Sequence, residues 1–350
     1  MSDTVLIKAA RAGDRDKCVN LLKNKRTGDV SKRGVRKKTA VMAAAEGGHL
    51  DIVELLLEHG ASLLGKDKDS NTILMLAVKG GDTNLVELLL SKGAKIHDKD
   101  RGGSSSIIMA SVGGNADVVE LLLSKGANIH DKDQDGSSSI MLASIGGHVD
   151  VVELLLSKGA DIHDKNKRGL SSVMFASDGG HAHVVELLLS KGADIHDKDQ
   201  GGYSSIMLAS NRGRVDVVEL LLSKGANIHD KTSDGYRSIM LASKKGHANV
   251  VELLLSKGAN IHDKNSDGSS SIILASRKGH VDVVELLLSK GANIHDKTTW
   301  GLSSVMLASD GGHVDVVELL LSKGANIHDK DQDGSSSIML ASDRGHADVV

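Results

Sequence analysis

Residues 131–163 read DKDQDGSSSIMLASIGGHVDVVELLLSKGADIH, and a close variant, DKNKRGLSSVMFASDGGHAHVVELLLSKGADIH, follows at once over residues 164–196. This 33-residue period runs without insertion from residue 32 to residue 328, with copies starting at 32, 65, 98, 131, 164, 197, 230, 263 and 296. A partial tenth copy occupies residues 329–350. Regularity of this kind excludes one deep closed core, because each copy is a small unit that buries its apolar side only against its neighbours. The aromatic content fits thin layers: one Trp, two Tyr and one Phe in 350 residues, with no proline. The interior must therefore be built from Leu, Val, Ile, Met and Ala.

Within the copy at 131–163, Ser138 stands where a helix N-cap is wanted, ahead of the apolar run Ile140, Met141, Leu142 and Ala143. Gly146 and Gly147 end that helix, since glycine accepts the left-handed conformation at a helix end. VDVVELLLSK predicts a second helix. Val152, Leu155 and Leu156 share one face there, and Val151 and Leu154 widen the stripe. Lys158 suits the negative end of the helix dipole and Gly159 supplies the stop. The remaining stretch, rich in Asp, Asn and Gly, predicts a bent, hairpin-like link. Helices this short are not stable alone in water, so the copies must stack.

The pattern D-x-D-G-x-S-S-I-M-L-A-S-x-x-G-H-x-x-V-V-x-L-L-L-x-x-G-A-x-I-H resembles the ankyrin repeat over the whole chain. The resemblance implies an all-α dominated solenoid of stacked helix-turn-helix repeats with short β-hairpin loops. It also implies a non-catalytic protein–protein interaction scaffold, presenting a concave surface of hairpin tips and first helices. One departure stands out: the family's T-P-L-H start appears as S-S-I-M at residues 138–141 and as T-I-L-M at residues 72–75. Loss of the proline removes a pre-set dihedral at the first helical position. Loss of the histidine removes a polar tie, so the fold should survive with some local stability lost.

Three segments are expected. Residues 1–31 form an N-terminal capping half-repeat with a basic linker, residues 32–328 nine complete repeats, and residues 329–350 a truncated tenth. Full copies continue from V-V into ELLLSKGA or a close variant, whereas the sequence stops at Val349 and Val350. This predicts a piece of a longer array. Two further readings follow: the recognition region of a larger enzyme, channel or effector extending beyond residue 350, or a mechanical spacer.

The aspartates of DKDQDG resemble the start of a calcium loop, which needs oxygen ligands at positions 1, 3 and 5 and a glutamate at 12. Position 12 is Leu142, and other copies break the acidic set, as in Asp296, Thr298 and Trp300. Turn chemistry accounts for the pattern, and no metal or other cofactor is expected. Of 17 histidines, eight close the copies (His97, His130, His163, His196, His229, His262, His295 and His328). Seven more sit in the G-H step, His148 and His181 among them, and a structural ladder is the expectation for both sets. No P-loop, nucleophile elbow or Cys/His pairing is present, so no catalytic residue is assigned. Glu153 and Glu186 read as solvent-facing.

Net charge is −3 at neutral pH, which gives no general case for nucleic acid. The sequence carries no apolar run long enough for a membrane span. The single Cys18 excludes an intramolecular disulfide and fits a reducing compartment, so the expected location is cytoplasmic and the expected state monomeric. Residues 23–38, KNKRTGDVSKRGVRKK, open on Lys23, close on Lys38 and carry +7. They read as a solvated loop after the cap, with a nuclear-import signal or a patch for an acidic partner as the functional alternatives.

The internal copies show where the array varies: positions 134, 135, 137, 145 and 146 and their equivalents. Tyr203, Tyr236 and Trp300 fall at such positions, while Phe175 replaces a core Leu. Arg212, Arg237, Lys244, Lys245, Arg277 and Lys278 cluster alongside, with Arg214 in place of a G-H histidine. Trp, Tyr and Arg dominate interface energies. These ten residues are the candidate partner-binding set, and they suit an unidentified protein with an acidic, partly apolar surface.

Overall fold

The computed structural model describes residues 2–24 and 27–350; Met1 and, within the basic run, Lys25 and Arg26 lie outside the described residues. Two compact units, residues 1–168 and 169–350, are each built in the same way. In both, a copy consists of a bent link, a first helix of seven or eight residues and a second helix of nine. Ser139–Gly146 and Val149–Ser157 are such a pair in the first unit, and Ser238–Lys245 and Ala248–Ser256 in the second. First helices pack on neighbouring first helices and second helices on second, as Ser238–Lys245 does on Ser271–Arg277. The first unit opens with Val5–Arg11 and Arg15–Leu22, and the second ends with Ser337–Arg344. This is the all-helical ankyrin solenoid that the repeat pattern implied.

Burial follows the helical period, with one correction. Ile140, Met141 and Ala143 are buried from the first helix, and Val151, Val152 and Leu155 from the second. Leu154 and Leu156, like Leu142 and the bulkier Phe175, are only half-buried. The second helix therefore presents the i, i+1, i+4 stripe to the core, one step round from the predicted face. Burying a Val or Leu side chain contributes about 1.5–3 kcal/mol. Repeated in every copy, the stripe stabilises helices that would not form alone. Each interior face is covered by the next copy: Ile272 and Ile273 are buried, whereas their counterparts in the tenth copy, Ile338 and Met339, are exposed.

The capping expectation for Ser138 holds in its backbone and not in its side chain. Ser138 has N-cap dihedrals, φ −90° and ψ 167°, but its side chain makes no capping hydrogen bond. The hydroxyls of both Ser138 and Ser139 are buried without a hydrogen-bond partner among the described residues. Thr72, at the equivalent position, does cap: its Oγ1 accepts from the Met75 N–H at 3.3 Å. Serine can cap here too, since Ser336 Oγ accepts from the Met339 N–H at 3.4 Å; the second branch on a threonine Cβ narrows χ1 and favours that rotamer. An unpaired buried hydroxyl costs about 1–3 kcal/mol, which places the lost local stability in the hydroxyls themselves.

The three aspartates at residues 131–135 each have a structural role. Asp131 takes an ion pair from Lys99 of the preceding copy at 3.3 Å. Asp133 folds the turn, its Oδ1 accepting from the Asp135 and Ser137 N–H groups at 2.9 and 2.8 Å. The Asp135 carbonyl accepts from the Lys167 N–H of the next copy at 2.9 Å. The hairpin is minimal, a single antiparallel bridge between Lys132 and Ser138. Its left-handed turn position is glycine in most copies, as at Gly136 (φ 76°), but Ser70 (φ 68°) and Lys37 (φ 60°) occupy it in two.

Two further ladders tie the copies. Lys198 and Lys264 reach Asp230 and Asp296 of the following copy at 2.7 and 2.9 Å. On the second helices, Lys158 pairs with Glu120 and Lys224 with Glu186, both at 3.2 Å. Glu186 is thus exposed yet engaged, a correction to its purely solvent-facing reading, whereas Glu153 is exposed as expected. The described part of the basic run is also engaged: Arg36 pairs with Asp69, Lys38 with Glu46 at 2.6 Å, and Arg33 donates to the Lys66 carbonyl.

Candidate partner-binding face

The first helices end where a glycine turns the chain into the second helix. At Gly246 the backbone is left-handed, φ 80°, and a Cβ there would stand 2.7 Å from the His280 ring. His280 Nε2 lies 3.1 Å from the Lys244 carbonyl of the preceding copy. His313 addresses the Arg277 carbonyl in the same way at 3.2 Å, and His247 the Asn211 carbonyl. A carbonyl oxygen only accepts, so Nε2 carries the hydrogen and donates. The G-H histidines therefore hold the helix ends from which the variable side chains project. Arg214 replaces one of them; it is exposed, and its stem passes close to Gly180.

Two adjacent positions, 145 and 146 and their equivalents, form a ribbon along these helix ends. In the second unit it runs Asp178, Asn211–Arg212, Lys244–Lys245, Arg277–Lys278, Asp310 and Asp343–Arg344. Arg212 grips Asp178 with two hydrogen bonds, Nε to Oδ1 at 2.8 Å and a terminal nitrogen to Oδ2 at 3.2 Å. The same step is closed by Arg344 on Asp310 at 3.0 Å. Between these neutralised pairs lie four cations, Lys244, Lys245, Arg277 and Lys278. None of them makes an ion pair among the described residues.

The aromatic residues lie on the hairpin side of the ribbon. Trp300 projects from a hairpin tip with half its surface exposed, 51%. Its carbonyl accepts from the Gln332 N–H at 3.0 Å, which fixes the tip. Tyr203 and Tyr236 are half-buried between hairpin and first helix. Lys244 Nζ lies 4.9 Å from the centre of the Tyr236 ring, a cation–π contact across the first helix. Burial pushes the Tyr203 hydroxyl above its ordinary pKa, helped by Asp199, Tyr236 and Asp234, so it remains a neutral phenol.

Arg237 fits the predicted set least well. It occupies the N-cap position that serine fills elsewhere, pairs with Asp263 at 2.9 Å and donates to the His229 carbonyl. Asp263 is the acid that the Lys–Asp ladder would have offered to Lys231, and the hairpin of this copy lacks its bridge. Arg237 is thus a structural side chain of an altered hairpin. Two exposed apolar residues of the first unit, Val112 (53%) and Ile145, were missing from the predicted set. Both sit at the first ribbon position of adjacent copies. That position varies between copies, but aliphatic residues there lack the aromatic or charged signature that marks the other candidates.

Among the described residues no three His, Cys, Asp or Glu side chains are gathered so that they could hold a metal ion. No described helix is long and apolar enough to cross a membrane. A comparison with curated proteins returns no match. The family model described as ankyrin repeats, itself three copies long, matches residues 6–100, 106–199, 140–232, 206–298 and 272–350. Ankyrin repeats are in general protein–protein interaction modules and typically non-catalytic. With the helix pairs, the hairpins and the G-H ties all present at the 33-residue period, the chain belongs to the ankyrin-repeat family.

Proposed function

We propose that the protein is a non-catalytic scaffold that binds a partner protein on the face carrying its hairpin tips and first-helix ends. One observation supports this above the others. Between residues 65 and 330, the exposed large apolar side chains among the described residues are Val112, Ile145 and Trp300. Val112 and Ile145 in the first unit stand at first-helix ends, Trp300 in the second at a hairpin tip, and none comes from a second helix. The second helices are nearly invariant between copies, and Glu87, Glu120, Glu186 and Glu252 on them pair with a lysine of the following copy, which serves the stack. The face, by contrast, combines apolar and aromatic surface with cations, the composition of interface centres.

The reading is tested by affinity capture from cell extract with the wild-type chain and with Tyr203→Ala/Tyr236→Ala/Trp300→Ala. A partner retained by the wild type and lost from the triple variant is the expected result. Equal retention by both, with the variant still folded, refutes the assignment of these residues.

A further inference from the structure

Lys244 and Lys278 stand 34 residues apart, in the relation that Asp178 bears to Arg212 and Asp310 to Arg344. In those two steps the side chains meet and neutralise each other. Here the same two positions carry two lysines and no carboxylate, with Lys245 and Arg277 next to them in sequence. A step that is neutralised in the copies on either side is left with net positive charge here, which attracts an external anion. The carboxylates that border the patch do not fill that role. Asp263 is held by Arg237 and Asp310 by Arg344, and Asp282, at the start of the next second helix, makes no ion pair with any of the four. The backbone under the patch is fixed, because the Lys244 and Arg277 carbonyls are those held by His280 and His313. Lys244 is further steadied by the Tyr236 ring. Cations on a held backbone lose less freedom on binding than flexible ones.

Resting on the scaffold reading, we propose that Lys244 and Lys278, flanked by Lys245 and Arg277, form a clamp for the carboxylates of an acidic segment of the partner protein. A peptide is favoured over a nucleic acid. The patch is confined to two copies and bracketed by neutral pairs, while the chain as a whole is acidic, with a net charge of −3. A phosphate backbone needs an extended basic track. The aromatic surface of Tyr236, in contact with Lys244, suits the apolar residues that accompany acidic side chains in a peptide.

The test uses the full chain and a fluorescently labelled decaglutamate peptide, read by anisotropy at low ionic strength. The double variant Lys244→Asp/Lys278→Arg rebuilds the acid–base pair seen at Asp178 and Arg212, so it should fold at least as stably as the wild type. Its affinity for decaglutamate is expected to fall at least about tenfold, the loss of one to two close charge contacts. Lys257→Asp, an equal change in charge at the end of a second helix, should leave affinity within about twofold. Equal losses in both variants would show diffuse attraction and overturn the clamp. So would a thymidine decanucleotide that binds as tightly as decaglutamate, or no peptide binding by the wild type. A captured partner lost from the aromatic triple variant yet kept by Lys244→Asp/Lys278→Arg removes the clamp and leaves the scaffold reading standing. Indifference to both variants removes the scaffold reading as well.

Discussion

Arg212 and Asp178 close a two-pronged ion pair between consecutive first helices of the second unit. The pair shows that the two ribbon positions of neighbouring copies are within reach of each other. Its own contribution is small, because the guanidinium is more than half exposed. Arg212→Ala should lower stability by about 0.5–1 kcal/mol, and the difference should shrink in high salt. Urea denaturation with and without added sodium chloride measures both.

The buried serines at the first-helix starts are a second point of leverage. Ser138→Thr supplies the branch that makes Thr72 a working cap, and Ser139→Pro places proline at a position whose N–H makes no intrahelical bond. Together they remove or satisfy two buried hydroxyls. The double variant should be stabilised by about 1–2 kcal/mol, seen as a raised denaturation midpoint. No gain would mean that these hydroxyls are already paired in solution.

Gly246 and His280 should show strong coupling. Gly246→Ala forces a left-handed residue to carry a Cβ that meets the imidazole at 2.7 Å, and it should cost about 2–3 kcal/mol. His280→Ala removes the tie to the Lys244 carbonyl and should cost about 1–2 kcal/mol. With the ring gone the clash is relieved, so the double variant should be less damaged than the sum of the two. A double-mutant cycle in denaturant reads the difference directly.

At the N-terminus, Asp3 is opposed by burial but held below its ordinary carboxylate pKa by Arg11, the Val35 N–H and the charge of Lys8. A folded-state value below the unfolded one means that the stabilisation is present above the unfolded pKa of about 4. It is lost as pH falls through the depressed folded value. The protection of the amides of residues 5–11, taken relative to their intrinsic exchange rates, should therefore fall below about pH 4, and Asp3→Asn should show that lower protection already at neutral pH.

Much of this was legible in the sequence because the period is strict. Helix pairs, glycine stops, hairpin aspartates and the ladder of G-H histidines followed from residue type and spacing, whereas the copy-closing histidines, expected to form a second ladder, are exposed. What escaped detection depends on side-chain reach between copies. That Glu186 meets Lys224, or that Arg237 is drawn to Asp263, requires knowing the offset between neighbouring layers, which a repeat pattern does not state. Ser138 shows the same limit within one residue: the backbone conformation was predictable, the rotamer of its hydroxyl was not. Val112 and Ile145 stand at a position read as variable, but an isolated Val or Ile gives no signal of its own in a repeat so rich in aliphatic residues.

The central claim is that recognition takes place on the hairpin and first-helix face. Hydrogen–deuterium exchange of the chain with and without a captured partner addresses it most directly. The account predicts new protection at the hairpin tips and first-helix ends of residues 197–310, around Trp300, Tyr236 and Lys244, with the second helices unchanged. Protection confined to second helices such as Ala248–Ser256 would contradict it.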